Sequence, residues 1–171
     1  KYGAQGIFMS LRSQFLKEGI KMSVQSQEKN MRKLADLLSH DLSYIWGERE
    51  GGPNGDKKVF LNTGKAFLRA LAKDLGLREY KVSANPGGIA VSGETTLIGM
   101  WNNSGIYIMI GQSSFGFEEL VIYREVKHIK DYSGGSNRFL PRDALKTMSY
   151  SRLLNEFRTL RKEGNAYEWA A

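Results

Sequence analysis

Few side chains in this sequence have the types and spacing that chemistry requires. Glu125-Val126-Lys127 is an acidic-x-Lys tripeptide at the end of an expected strand, with Glu94 and Glu119 upstream. Magnesium-dependent nucleases set two carboxylates on metal ions and a lysine beside the attacked phosphate, because in-line displacement needs charge neutralised at both oxygens. The same Glu125 and Lys127 serve equally well as two exposed residues on one face of a strand. His40 and His128 are the only histidines and there is no cysteine. That excludes a multi-histidine metal site, thiolate zinc, iron–sulfur clusters and a cysteine nucleophile. Ser92-Gly93 follows Ala90-Val91, so the Gly-x-Ser-x-Gly elbow of a serine hydrolase is absent. The glycines and lysines of residues 47–58 lack the Gly-x4-Gly-Lys-Ser/Thr spacing of a phosphate loop. The residue types predict no catalytic centre, no bound metal and no cofactor.

The stronger constellation is one for binding. Residues 123–142 interleave Tyr123, Tyr132 and Phe139 with Arg124, Lys127, Lys130, Arg138 and Arg142. Ser133, Ser136 and Asn137 add polar groups, and Gly134-Gly135 lets backbone approach a partner closely. Arginine and lysine contact phosphates, while aromatic rings stack on unpaired bases or anchor a protein interface. The charge distribution points to the same place. The net charge is +7, and residues 121–162 carry ten basic side chains, Lys146 among them, against four acidic ones. Such a concentration favours polyanionic partners, since neutralised phosphates release counterions. The candidate docking residues are Arg124, Lys127, Lys130, Tyr132, Asn137, Arg138, Arg142 and Lys146. A merely solvated, solubilising surface would have the same composition.

The elements that must position these residues follow from periodicity. Ile7, Phe8, Leu11 and Phe15 recur at helical spacing with Gly19 as a stop. Met31, Leu34, Leu38, Leu42 and Ile45 mark a second helix, with Ser26 as cap and Gly47 past its end. Residues 47–58 read as a flexible connector. A third helix is capped by Asn62 or Thr63, buries Phe67, Leu68, Leu71, Ala72 and Leu75, and stops at Gly76. Lys65, Arg69 and Lys73 form a basic stripe along its other side. The period then shifts to 2, giving candidate strands Tyr80–Ser83, Ile89–Ser92, Thr95–Trp101, Ile106–Gly111 and Leu120–Lys127. Their short, glycine- and asparagine-rich connections allow only antiparallel pairing. Ile106, Ile108 and Ile110 oppose Tyr107 and Met109, so that strand is expected to be covered on both sides. In the last strand the Val121, Tyr123, Glu125 and Lys127 face reads as the exposed one. From Pro141 a long basic helix is expected to about Lys162, with Ser149 and Ser151 as a potential break.

The expected fold is therefore α+β: an antiparallel meander of about five strands, with N-terminal helices and a long basic C-terminal helix packed on it. It forms a single domain over 1–171, made of a helical part (1–46), a loop (47–58), a helix plus sheet (59–140) and a C-terminal helix with its tail (141–171). No apolar run reaches the roughly 18 residues of a membrane span, and the lack of cysteine fits a reducing, cytoplasmic compartment.

A family resemblance rests on particular phrases. Asn85-Pro86-Gly87-Gly88-Ile89-Ala90-Val91-Ser92-Gly93-Glu94, Gly99-Met100-Trp101, and Tyr123-Arg124 through Lys130-Asp131-Tyr132-Ser133-Gly134-Gly135-Ser136-Asn137 resemble small proteins of phages and conjugative elements of Firmicutes. Some proteins in that setting are anti-CRISPR inhibitors of the type II RNA-guided nuclease. The resemblance covers residues 59–140, leaves out the flanking helices, and brings no catalytic residues with it. It implies a non-enzymatic mobile-element protein in a bacterial cytoplasm, binding an RNA-guided nuclease or its nucleic-acid complex. A positive charge is opposite to that of an acidic DNA mimic. The alternatives are a magnesium-dependent nuclease using Glu125 and Lys127, and an accessory DNA-binding module of a mobile element.

Overall fold

The structure, a computed structural model, describes residues 24–43, 55–87, 91–113 and 116–162. The first expected helix, over Ile7 to Gly19, lies outside them. Helix α1 runs through residues 24–38 and buries Met31, Leu34 and Leu38, with Lys29, Arg32, Lys33 and Asp36 outward. Val24 and Gln25 are already helical, so Ser26 is no cap. The helix also stops short of Leu42, because the Ser39 N–H and hydroxyl and a ring nitrogen of His40 all converge on the Asp36 carbonyl. Leu42 is buried all the same, from the segment beyond the helix. Ile45 and Gly47 fall outside the described residues.

Helix α2 (Asp56–Asp74) starts more than a turn before the expected cap at Asn62 or Thr63. Gly55, at φ 69°, turns the chain into it, and Asp56 complements the helix dipole. Asp56–Lys58 thus belong to the helix rather than the connector, because Lys57 and Phe60 find cover. Lys57 is 2% exposed, and its ammonium donates to the Val91 carbonyl at 2.8 Å. At the other end Gly76 adopts φ +70°, the stop the sequence predicts.

Five strands follow in a simple meander: β1 (Glu79–Asn85), β2 (Glu94–Met100), β3 (Gly105–Gln112), β4 (Glu119–Val126) and β5 (Arg138–Phe139), every neighbour antiparallel. Ser92 belongs to no strand, so the expected strand at Ile89–Ser92 is not formed by the described part of that segment. The fifth strand is instead Arg138–Phe139, paired with Tyr123 and Ile122. One face carries Leu97, Ile106, Ile108, Ile110, Val121 and Tyr123 into the core beneath the helices. The face of β4 bearing Tyr123 and Glu125 is therefore the covered one, contrary to its polar composition. Its polar atoms are satisfied there: the Tyr123 hydroxyl donates to Glu156, and Glu125 accepts from Lys162 at 2.6 Å.

The expected long C-terminal helix is two short ones, α3 (Ala144–Thr147) and α4 (Tyr150–Arg158). Met148 and Ser149 between them are extended, and the Ser149 hydroxyl caps α4 by accepting from the Arg152 N–H at 3.3 Å. The break lets α4 turn back over the sheet. There Tyr150 meets Phe67 edge-on at 6.2 Å and donates to Asp74 at 2.6 Å, and Phe157 meets Tyr123 at 5.2 Å.

α2 lies along β2 in tight contact. A Cβ on Gly64 would fall 2.6 Å from the Thr95 hydroxyl, and the Trp101 indole donates to the Leu75 carbonyl at 2.9 Å. Gly64→Ala should cost about 1–3 kcal/mol by overpacking, read as a lower urea midpoint at unchanged m-value. An unchanged midpoint would mean that the helix does not sit this close.

Candidate functional site

The expected docking residues are organised by one that is not on the surface. Arg124 is 3% exposed. Strand alternation puts it on the sheet face away from the helices, opposite Tyr107 on β3. Its guanidinium lies 4.7 Å from the centre of the Tyr107 ring. A buried guanidinium must spend its donors on acceptors, and only the following loop supplies them. Nη1 donates to the Gly134 carbonyl, and Nη2 to the Asp131 carbonyl at 3.0 Å. The Asp131 carboxylate approaches within 3.9 Å and is itself held by the N–H groups of Lys127 (3.1 Å) and Gly134 (2.8 Å). Those N–H groups hold the Asp131 carboxyl below the usual range.

Residues 127–137 are thereby folded over the outer face of the sheet. The glycine pair serves this fold rather than a partner's approach. A Cβ on Gly134 would lie 2.5 Å from Asp131 Oδ1, and one on Gly135, at φ +83°, 2.7 Å from the Glu125 carbonyl. The loop reaches as far as β1, where Lys81 sits 5.9 Å above the Tyr132 ring.

The sequence-derived residues consequently fall into separate places. Arg124 is a clamp inside the fold and does not face a partner. Lys127, Lys130, Tyr132 (52% exposed) and Asn137 lie on the clamped loop. Arg138 is exposed at mid-edge on β5, in register with Tyr123 and so turned toward the helix side. Arg142 and Lys146 stand at the far corner by α3, with Arg142 3.3 Å from Glu118. Arg138, Arg142 and Lys146 therefore follow one sheet edge, that of β4 and β5, with Lys127 at the end of β4, while Tyr132 lies across the outer face beside Lys81 of β1. Three exposed aromatics accompany them: Tyr132 on the loop, Phe139 (60% exposed) on β5, and Phe117 (54% exposed) in the β3–β4 turn. Sequence reasoning missed Phe117. A bulky ring inside a glycine- and serine-rich turn was the available signal, since such a turn offers it no core.

The carboxylates of the nuclease alternative do not meet. Glu125 faces the helices at one end of β4, and Glu119 begins that strand six residues away, about 20 Å at strand rise. Glu94 faces the other side, in register with Gly111. Among the described residues no three histidine, aspartate or glutamate side chains gather as a metal site.

Glu119 has a different character. One carboxylate oxygen accepts from the Leu145 N–H at 2.8 Å, while the other is buried with no partner. Burial pushes its pKa up to about 7 against the opposing pull of that N–H, and Asp143 adds to the rise. The same fold pushes the Tyr123 hydroxyl up to about 12 through burial and its bond to Glu156.

With the geometry described, comparison with known proteins adds no relative: no family model, no curated protein and no solved structure matches the chain. No helix among the described residues is long and apolar enough to cross a membrane.

Arg124→Met should lower stability by about 2–4 kcal/mol, since carbonyls accepting from a charged donor lose it inside the fold. Amide hydrogen exchange in residues 127–137 should accelerate more than in β2 and β3; uniform acceleration would contradict a clamp. A separate test concerns Glu119. Its folded pKa lies above the ordinary glutamate value, so its contribution favours the fold when protonated and is lost as pH rises through about 7. Glu119→Gln should flatten the fall in Tm between pH 5 and 8 and raise Tm at pH 8. An unchanged pH profile would contradict the assignment.

Proposed function

We propose that this chain is a non-enzymatic binding protein that docks on a nucleic acid–protein assembly along the edge formed by β4, β5 and the loop over residues 127–137. The observation that carries this reading is the composition of that edge. Lys127, Lys130, Arg138 and Lys146 are exposed and form no ion pair among the described residues, with Phe139 and Phe117 exposed along the same edge and Tyr132 exposed where the loop crosses the outer face. The cations neutralise phosphates and release counterions, and rings held at the surface stack on unpaired bases. The clamped loop supports tight binding, because its ordering is completed on folding rather than at the moment of contact.

The particular assembly is proposed from the resemblance to mobile-element inhibitors: a type II RNA-guided nuclease carrying its guide. Its guide RNA and channel present dense negative charge, with single-stranded segments that a cationic, aromatic edge can engage. Binding there would block loading, target recognition or cleavage. Bacterial cytoplasm is the setting this partner requires.

Anisotropy with a labelled single-stranded RNA, and with the guide-loaded nuclease, tests the reading. Lys127→Glu with Lys130→Glu should weaken binding at least tenfold, and the log–log salt slope should become shallower by about 1.4, from two lost single-strand phosphate contacts. Unchanged affinity and slope in a folded double variant would refute this edge as the docking site.

A further inference from the structure

On the side of the molecule away from the sheet, we infer that the outward face of α2 takes the phosphate backbone of a nucleic-acid duplex. Gly64 rests on Thr95 of β2 and so fixes how the helix is turned. At 3.6 residues per turn, the buried Phe60, Phe67, Leu68, Leu71, Ala72 and Leu75 all fall within about 80° of Gly64. Lys65, Arg69 and Lys73 stand at about 100°, 140° and 180° from it, turned progressively from the sheet into solvent. Arg69 and Lys73 are exposed and Lys65 is half-buried. Exposed Lys58 extends the same sector, at about 120°.

The helix separates its charges by sign. Its two acids, Asp56 and Asp74, both lie about 80° round from Gly64 on the side away from the cations. There Asp56 meets His40 at 2.9 Å, and Asp74 accepts from the Tyr150 hydroxyl at 2.6 Å. Lys65, Arg69 and Lys73 form no ion pair among the described residues. Lys65 with Arg69, and Arg69 with Lys73, are like charges four residues apart, which oppose the helix that carries them. A polyanion laid along the row replaces that repulsion with attraction.

The form of the row selects the polyanion. Cations four residues apart on a helix rise by about 6 Å. Alternate phosphates of one duplex strand advance by about 6.8 Å along its axis, so three cations meet three phosphates without bending either partner. The rest of the outward sector is Asn62 and Ala66, with no aromatic ring. An unpaired base therefore finds nothing to stack on, and contact is made through phosphates alone, without sequence. The rings of the β4–β5 edge give that edge the opposite preference. The loop over residues 127–137 covers the other face of the sheet, so both surfaces are open at once. Joint engagement of one assembly rests on the reading of that edge; the α2 face does not.

The test is fluorescence anisotropy of the full chain with a labelled DNA duplex of random sequence. Lys65→Gln, Arg69→Gln and Lys73→Gln together should weaken duplex binding at least tenfold and make the log–log salt slope shallower by about 2.7, from three lost phosphate contacts. The same variant should keep its affinity for labelled single-stranded RNA within about threefold. Its melting temperature should not fall, since two repulsive pairs are removed. If it does fall, Arg69→Gln alone should still lower the slope by about 0.9. No duplex binding at low salt would overturn the inference. So would an unchanged slope, or poly-glutamate that competes as well as the duplex at equal charge. Duplex binding by a parent chain that ignores single-stranded RNA would support this face and refute the β4–β5 edge, so the two readings fail separately.

Discussion

A guanidinium inside a β-sheet has one physical requirement, that its donors meet acceptors, and much of this molecule follows from how Arg124 meets it. Water is excluded by Tyr107 on one side and by the chain itself on the other. The acceptors are main-chain carbonyls at residues 131 and 134. Those carbonyls can be presented only if residues 127–137 fold back over the sheet, and the two glycines permit the turn. A charge that looks costly to bury therefore sets the path of the loop that displays Lys127, Lys130 and Tyr132. Lysine at 124 would keep the charge but not the fork that reaches two carbonyls at once.

The sheet is accordingly covered in two different ways. Helices with conventional apolar packing cover one face, with Leu97, Ile108, Phe67 and Phe157 in a continuous core. A polar clamp and one loop cover part of the other. Two acids of the helical layer are turned inward, Asp74 to Tyr150 and Glu156 to Tyr123, whereas Asp36 faces outward among Lys29, Arg32 and Lys33. The two sheet edges differ in chemistry: Phe139 is exposed on β5, and among the described residues β1 has an open backbone ladder.

Much of the architecture was legible in the residues. The shift of period after Gly76, the turn chemistry between strands and the two-sided apolar pattern of Ile106–Ile110 identified an antiparallel meander beneath helices. The misreadings have common physical causes. Tyr123 and Glu125 made one face of β4 look exposed because a sequence does not say that Glu156 and Lys162 will satisfy them. The start of α2 was set too late because buried Lys57 looks like a loop residue until the Val91 carbonyl is beside it. A two-residue strand carries too little alternation to be recognised, so the sequence offers no sign that Arg138–Phe139 pairs with β4. The cationic segment was recognised by composition, but the division between a buried Arg124 and its exposed neighbours depends on contacts seven and ten residues apart.

The central claim is that Arg124 governs binding by holding the loop rather than by touching the partner. A double-mutant cycle between Arg124→Met and the Lys127→Glu, Lys130→Glu pair, read as affinity for labelled single-stranded RNA, addresses it directly. If the loop must be held for its cations to act together, charge reversal costs less once the clamp is gone, with a coupling energy of at least about 0.5 kcal/mol. Strictly additive losses would contradict the account, placing Arg124 and the lysines on the partner independently.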